Sequence, residues 1–107
     1  MSILAMNGKI VSSTVQRCDD GKKLELFEDR RVYDIGEKII ASEKFSGFMN
    51  LDFQMAADTG EIFILECNPR TWSSMNASIL NGADFIGDAV ACALDEPVLV
   101  RTVGRET

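Results

Sequence analysis

A chain of 107 residues, 46% hydrophobic and 26% charged, has the make-up of one small globular domain able to bury roughly two-thirds of its unfolded surface. A formal net charge of −6 argues against nucleic acid and anionic membranes as partners, since both favour basic surfaces. No apolar run reaches the roughly 18 residues of a membrane helix and no signal-peptide pattern opens the chain, so the expectation is a soluble, cytoplasmic protein.

The chain opens on a hairpin. Ile3-Leu4-Ala5-Met6 and Lys9-Ile10-Val11 flank Asn7-Gly8, the dipeptide that best tolerates the two positive φ angles of a type I′ turn. The second strand is expected to run to Arg17, with Asp19-Asp20-Gly21 closing it. From Asp29 to Lys44 the period becomes helical: Val32, Ile35 and Ile39 share a face, while Glu37, Lys38 and Glu43 point away. Asp34 and Glu37 have capping-box spacing, which would start the helix late, and Gly36 weakens its first turn.

Two strands follow. Met49, Leu51, Phe53 and Met55 alternate with Asn50, Asp52 and Gln54, and after Asp58-Thr59-Gly60 comes the apolar run from Ile62 to Asn68. In that second strand Phe63, Leu65 and Cys67 are expected on one face and Ile62, Ile64, Glu66 and Asn68 on the other. Pro69 ends it. Short helices are expected over about 74–80 and 84–94, parted by Asn81-Gly82, with Asp84 as the second N-cap and Phe85, Ala89 and Ala93 on its apolar face.

The chemistry concentrates in the second hairpin. A three-residue loop at Asp58-Thr59-Gly60 would pair Ala57 with Glu61, and counting back sets Asp52 directly opposite Glu66 and Asn50 opposite Asn68, all on one face. Two opposed carboxylates repel unless water screens them, one keeps a proton, or a cation bridges them. There is no histidine, and the three cysteines (Cys18, Cys67 and Cys92) form no CxxC pair. That argues against zinc, a disulfide framework and histidine-based nucleophilic catalysis. Oxygen donors alone favour Mg²⁺ or Mn²⁺, with phosphates and water completing the shell.

Gly-Phe-Met-Asn-Leu-Asp-Phe from Gly47, leading to Leu-Glu-Cys-Asn-Pro-Arg ending at Arg70, resembles the metal-binding core of the ATP-grasp superfamily, closest to its carbamoyl-phosphate-synthetase-like and carboxylate–amine ligase branches. The resemblance spans roughly the last two-thirds of the chain. It implies an α+β fold, an antiparallel sheet with helices packed on one face, as in the C-terminal subdomain of an ATP-grasp domain. By the same resemblance Asp52, Glu66 and Asn68 would ligate Mg²⁺ (or Mn²⁺) on ATP. Arg70 would steady the transferred phosphoryl group, and Ser73 and Ser74 would hydrogen-bond phosphate or carboxylate. The implied reaction activates a small carboxylate as an acyl phosphate for attack by an amine-type nucleophile.

Part of the family pattern is not met. No segment resembles the first ATP-grasp subdomain with its phosphate-binding lysine and glycine-rich lid, so residues 1–107 read as a single partial domain, inactive alone. Exposed apolar surface would then favour a homo-oligomer. Asn50 stands where some branches carry a basic residue, which leaves its role open. The alternatives are a degenerate ATP-grasp-like binding or assembly module and an unrelated α+β protein with a structural cation. More locally, the two serines suit helix capping, Cys67 suits a small core position, and Trp72 is either a packing residue or the lip of a substrate pocket.

Overall fold

The computed structural model describes residues 1–19, 23–73, 75–80, 82–97 and 101–103. In chain order it contains β1 (Ser2–Met6), β2 (Lys9–Asp19), β3 (Lys23–Phe27), α1 (Arg30–Ser42), β4 (Gly47–Met55), β5 (Ile62–Asn68), α2 (Met75–Leu80), α3 (Phe85–Ala93) and β6 (Arg101–Val103). Five strands form an antiparallel sheet in the order β3-β2-β1-β4-β5, and β6 runs parallel to Ser12–Thr14 of β2. The fold is therefore the expected α+β sheet. β3 and β6 are additions: the run from Lys23 is too short and mixed to announce itself as a strand. Ser74, Asn81 and Asp20-Gly21 of the sequence expectations lie outside the described residues.

Asn7 (φ 51°) and Gly8 (φ 78°) take the left-handed conformation that the β1–β2 turn requires. β1 then pairs with β2 on one edge and β4 on the other, so Ile3 and Leu4 project to opposite faces of the sheet's centre. Ile3 enters a core with Ala5, Ile10, Val15, Phe27, Met49 and Leu51, closed by Val32 and Ile40 of α1. Leu4 enters a second core with Trp72, Met75, Ala83 and Phe85, closed by α2 and α3. The helices thus divide between the two faces, α1 on one and the α2–α3 pair on the other, which corrects the expectation that the helices pack on one face.

Helix α1 starts at Arg30, earlier than the Asp34–Glu37 capping box would place it. Asp29 is extended (φ −142°) and its side chain accepts a hydrogen bond from the Arg31 amide at 3.0 Å, satisfying a first-turn N–H. Gly36 is buried: a Cβ there would lie 2.5 Å from Met1 Sδ and 3.3 Å from Ile3 Cδ1, so its weak helix propensity is exchanged for close approach to β1. Asp84 caps α3 as expected, accepting from Gly87 N at 3.0 Å. Ala93, expected on the buried face, is exposed, whereas Asp88 is buried and accepts a hydrogen bond from the Ser12 hydroxyl.

Candidate metal and phosphate site

The β4–β5 hairpin places the acidic pair where the sequence put it, by a different route. Ala56 N donates to Glu61 O and Gly60 N to Ala56 O, each at 2.8 Å, which leaves a four-residue loop over 57–60 in place of the expected three. That loop alone would set the register one residue off. Between Asp52 and Phe53, however, the register shifts: Phe53 pairs with Ile64 while Asp52 pairs with Glu66, so Leu65 is the extra residue of a β-bulge. The bulge restores the pairs Asp52–Glu66 and Asn50–Asn68.

The same bulge corrects the expected faces of β5. Ile62 and Ile64 pair with Met55 and Phe53, so they turn to the α1 side of the sheet, away from Glu66 and Asn68. Cys67 pairs with Leu51, yet it is exposed instead of being a core residue, because β5 is the sheet's edge.

Asp52 and Glu66 are both exposed, while Asn68 beside them is only 8% exposed. The Asn50 amide donates to Asp52 Oδ1 at 3.2 Å. Among the described residues no basic side chain forms an ion pair with either carboxylate; the pairs present are Arg17–Glu25, Arg30–Asp34 and Arg31–Asp29. The Met1 amine donates to Leu51 O at 2.7 Å. Burial lowers its pKa to about 5, against the opposing pull of the Asp52 charge, so at neutral pH the amine is uncharged and offers Asp52 no cation.

Arg70 follows the strand at once. Its amide closes a tight turn on Asn68 O at 2.8 Å, and its exposed guanidinium uses Nη1 on Thr71 O at 3.1 Å, leaving further N–H groups for a ligand. Two residues on, Trp72 settles its own alternatives in favour of packing: its ring meets Phe85 edge-on at 4.9 Å and Phe48 at 5.9 Å. It fastens the Arg70 loop to the sheet and α3, and among the described residues no group accepts from its buried Nε1. Ser73 is exposed on this loop, and Ser74 lies outside the described residues.

Among the described residues no group of three or more His, Cys, Asp or Glu side chains converges as a cage. The donor set of two carboxylates and one carboxamide nevertheless fits a hard cation. Mg²⁺ ordinarily takes one or two carboxylates and fills its remaining positions with water and substrate phosphate. Such a site is open by nature and is completed by the ligand.

The sequence reading missed the polar side chains behind this pair. Ser2, Ser12, Thr14 and Ser78 are all buried, and Gln16 joins Ser2 and Thr14 by hydrogen bonds. The legible signal was Ser12-Ser13-Thr14 inside a strand with neighbours on both sides, where every hydroxyl must find a partner.

Among the described residues no helix is long and apolar enough to cross a membrane. No curated protein matches the chain. A family model described as "ATP-grasp in the biosynthetic pathway with Ter operon" matches residues 1–106. The match takes in the β4–β5 hairpin, its opposed carboxylates and the Asn-Pro-Arg turn, and the chain belongs to the ATP-grasp family.

Proposed function

We propose that this chain supplies the metal-carrying half of an ATP-dependent ligase site, as a single partial domain corresponding to the C-terminal part of an ATP-grasp fold. The observation that carries the reading is the pair Asp52–Glu66, opposed on one face and without a basic partner among the described residues. Family membership supports ATP and Mg²⁺ as the ligands at a coarse level. In this reading Asp52, Glu66 and Asn68 hold Mg²⁺ or Mn²⁺, and Arg70 faces the transferred phosphoryl group with a planar fork suited to it. Ser73 and Ser74 donate to phosphate or carboxylate. The bound cation would neutralise charge on the ATP phosphates while a small carboxylate becomes an acyl phosphate open to an amine-type nucleophile. The 107 residues alone bind without turning over.

Binding of Mn²⁺, followed by the paramagnetic resonance signal of the free ion with and without a non-hydrolysable ATP analogue, tests the assignment. Wild type should bind, more tightly with nucleotide, and the double variant Glu66→Ala/Asn68→Ala should lose binding while keeping its circular dichroism spectrum. Wild-type affinity in the double variant removes these residues from the site. Binding indifferent to nucleotide favours a structural cation instead.

Ile86, Val90 and Leu94, spaced by four along α3 and its C-cap, are exposed with Leu80 nearby in sequence, and they support self-association of the chain through this stripe. Sedimentation equilibrium should give a mass that rises with concentration and falls back to the monomer in Val90→Lys. A monomer at every concentration rules this out.

A further inference from the structure

Behind the acidic pair runs a line of hydrogen bonds with one direction. Thr14 pairs with Ser2, Ser2 with Asn50 and Asn50 with Asn68, so these four polar residues form a single row across β2, β1, β4 and β5. The Asn50 amide donates to Asp52 at 3.2 Å, and the Ser2 hydroxyl donates to Asn50 Oδ1 at 3.0 Å. Gln16 Nε2 donates to Ser2 Oγ at 2.6 Å, and the Thr14 hydroxyl donates to Gln16 Oε1 at 3.0 Å. Thr14 has then spent its only proton, so the 3.4 Å contact between Thr14 and Ser78 has the Ser78 hydroxyl as donor.

The direction follows from chemistry, not from the assignment of amide atoms alone. A carboxylate offers only acceptors, so Asn50 must turn its Nδ2 to Asp52 and its Oδ1 inward. An inward Oδ1 needs a donor, which makes Ser2 give its proton to Asn50 and accept from elsewhere. Gln16 must then present Nε2 to Ser2 and Oε1 to Thr14. Reversing any link between Asp52 and Thr14 would set two acceptors against each other somewhere along the line. The charge at Asp52 thus orders a chain of donors reaching back to α2, and aligned donors polarise one another. Ser2, Thr14 and Ser78 are each no more than 1% exposed, so water does not compete at these three hydroxyls, and the line reaches solvent at its Asn50–Asp52 end.

We propose that Asn50, Ser2 and Gln16 are positioning residues that fix the Asp52 carboxylate for a divalent cation. The proposal rests on the reading of Asp52 and Glu66 as cation ligands. Asn50 is assigned a supporting place and not a ligand's, because its Oδ1 turns inward to Ser2 while its Nδ2 faces Asp52. The chain occupies one side of Asp52 and leaves the carboxylate's other lone pairs for the ion, as supporting partners do behind metal ligands.

The test uses the 107-residue chain, Mn²⁺ as the probe, and two cuts: Asn50→Ala at the last link and Gln16→Leu two links back. Each should raise the Mn²⁺ dissociation constant about tenfold for the folded protein. In metal-free protein, Gln16→Leu should also shift the Asn50 side-chain amide resonances, through the Ser2 hydroxyl that the two side chains share. A purely structural role for Gln16 would lower the melting temperature and leave both readouts where they were. Unchanged affinity in both variants, with wild-type binding still dependent on Glu66, overturns the positioning role and keeps the ligand assignment. Absence of Mn²⁺ binding by wild type overturns both together. Asn50 amide resonances indifferent to Gln16→Leu overturn the chain itself.

Discussion

Replacing Glu66 with glutamine keeps the side chain's shape and removes one of two facing charges, so its effect should change sign with the metal content of the buffer. Directly opposed residues have Cβ atoms about 5 Å apart, and two unit charges at that distance repel by about 0.8 kcal/mol in a medium close to water. Asp52 and Glu66 are both exposed, so this low figure applies in preference to the larger ones of a protein interior. In EDTA, Glu66→Gln should therefore be more stable than wild type by roughly 0.8 kcal/mol, about 3–5 °C in melting temperature for a domain of this size. The gap should close near 1 M salt, where the Debye length falls to about 3 Å. A cation that binds only the folded state, at tenfold excess over its dissociation constant, adds about 1.4 kcal/mol to wild type. Glu66→Gln forfeits that gain, so in Mg²⁺ the order of stabilities reverses. Urea unfolding of both proteins in EDTA and in Mg²⁺ measures all four quantities. A variant less stable than wild type in EDTA, or one with an undiminished Mg²⁺ response, would refute the reasoning.

Other perturbations probe the scaffold. A Cβ on Gly87 would lie 2.2 Å from Asp84 Oδ2, so Gly87→Ala should dislodge the N-cap of α3 at a cost of about 1 kcal/mol. In an Asp84→Ala background the same change should be neutral or stabilising, by up to about 1 kcal/mol of helix propensity, and additive effects in this urea-denaturation cycle would contradict the cap. Ser12→Ala removes a donor from the buried Asp88 carboxylate and should cost about 1–3 kcal/mol in chemical denaturation at neutral pH; a cost near zero would show that the bond contributes nothing. The Met1 amine has a folded pKa of about 5 against 8.0 for the free group, a lowered value in a base. Protonation therefore favours the unfolded chain, and stability should decline as pH falls from 8 towards 5, by on the order of 4 kcal/mol for this group. Unfolding free energies across that range, in chains with a free and an acetylated amino terminus, should differ in slope; equal slopes would contradict the burial.

The elements legible in the sequence were those whose signal is local. Asn7-Gly8 announced a type I′ turn, the alternation from Met49 to Met55 announced β4, and Asp84 ahead of an apolar run announced α3. Asp29 lost to Asp34 in the reading of α1 because both have capping chemistry, and only the extended backbone at Asp29 separates them. The pairing of Asp52 with Glu66 was reached through a loop one residue too short, and the bulge at Leu65 made up the difference. A bulge adds a residue without a turn signal, so the pattern of Ile62 and Ile64 was read onto the wrong face. Cys67 was read as core because nothing nearby would activate a thiolate, but burial at an edge strand depends on what covers it. The hydrogen-bond line from Ser78 to Asp52 joins α2 and β4 to the β1–β2 hairpin, segments far apart in sequence, and no spacing rule reaches across such distances.

The central claim is a location: a hard cation binds between the carboxylates of β4 and β5. Substoichiometric Mn²⁺ added to isotope-labelled chain broadens backbone resonances according to their distance from the ion. The account predicts that Asp52, Glu66 and Asn68 broaden first, with Asn50 and Arg70 next and α1 last. Broadening that begins elsewhere, at Glu25, at Asp34 or at Asp95-Glu96, would contradict it.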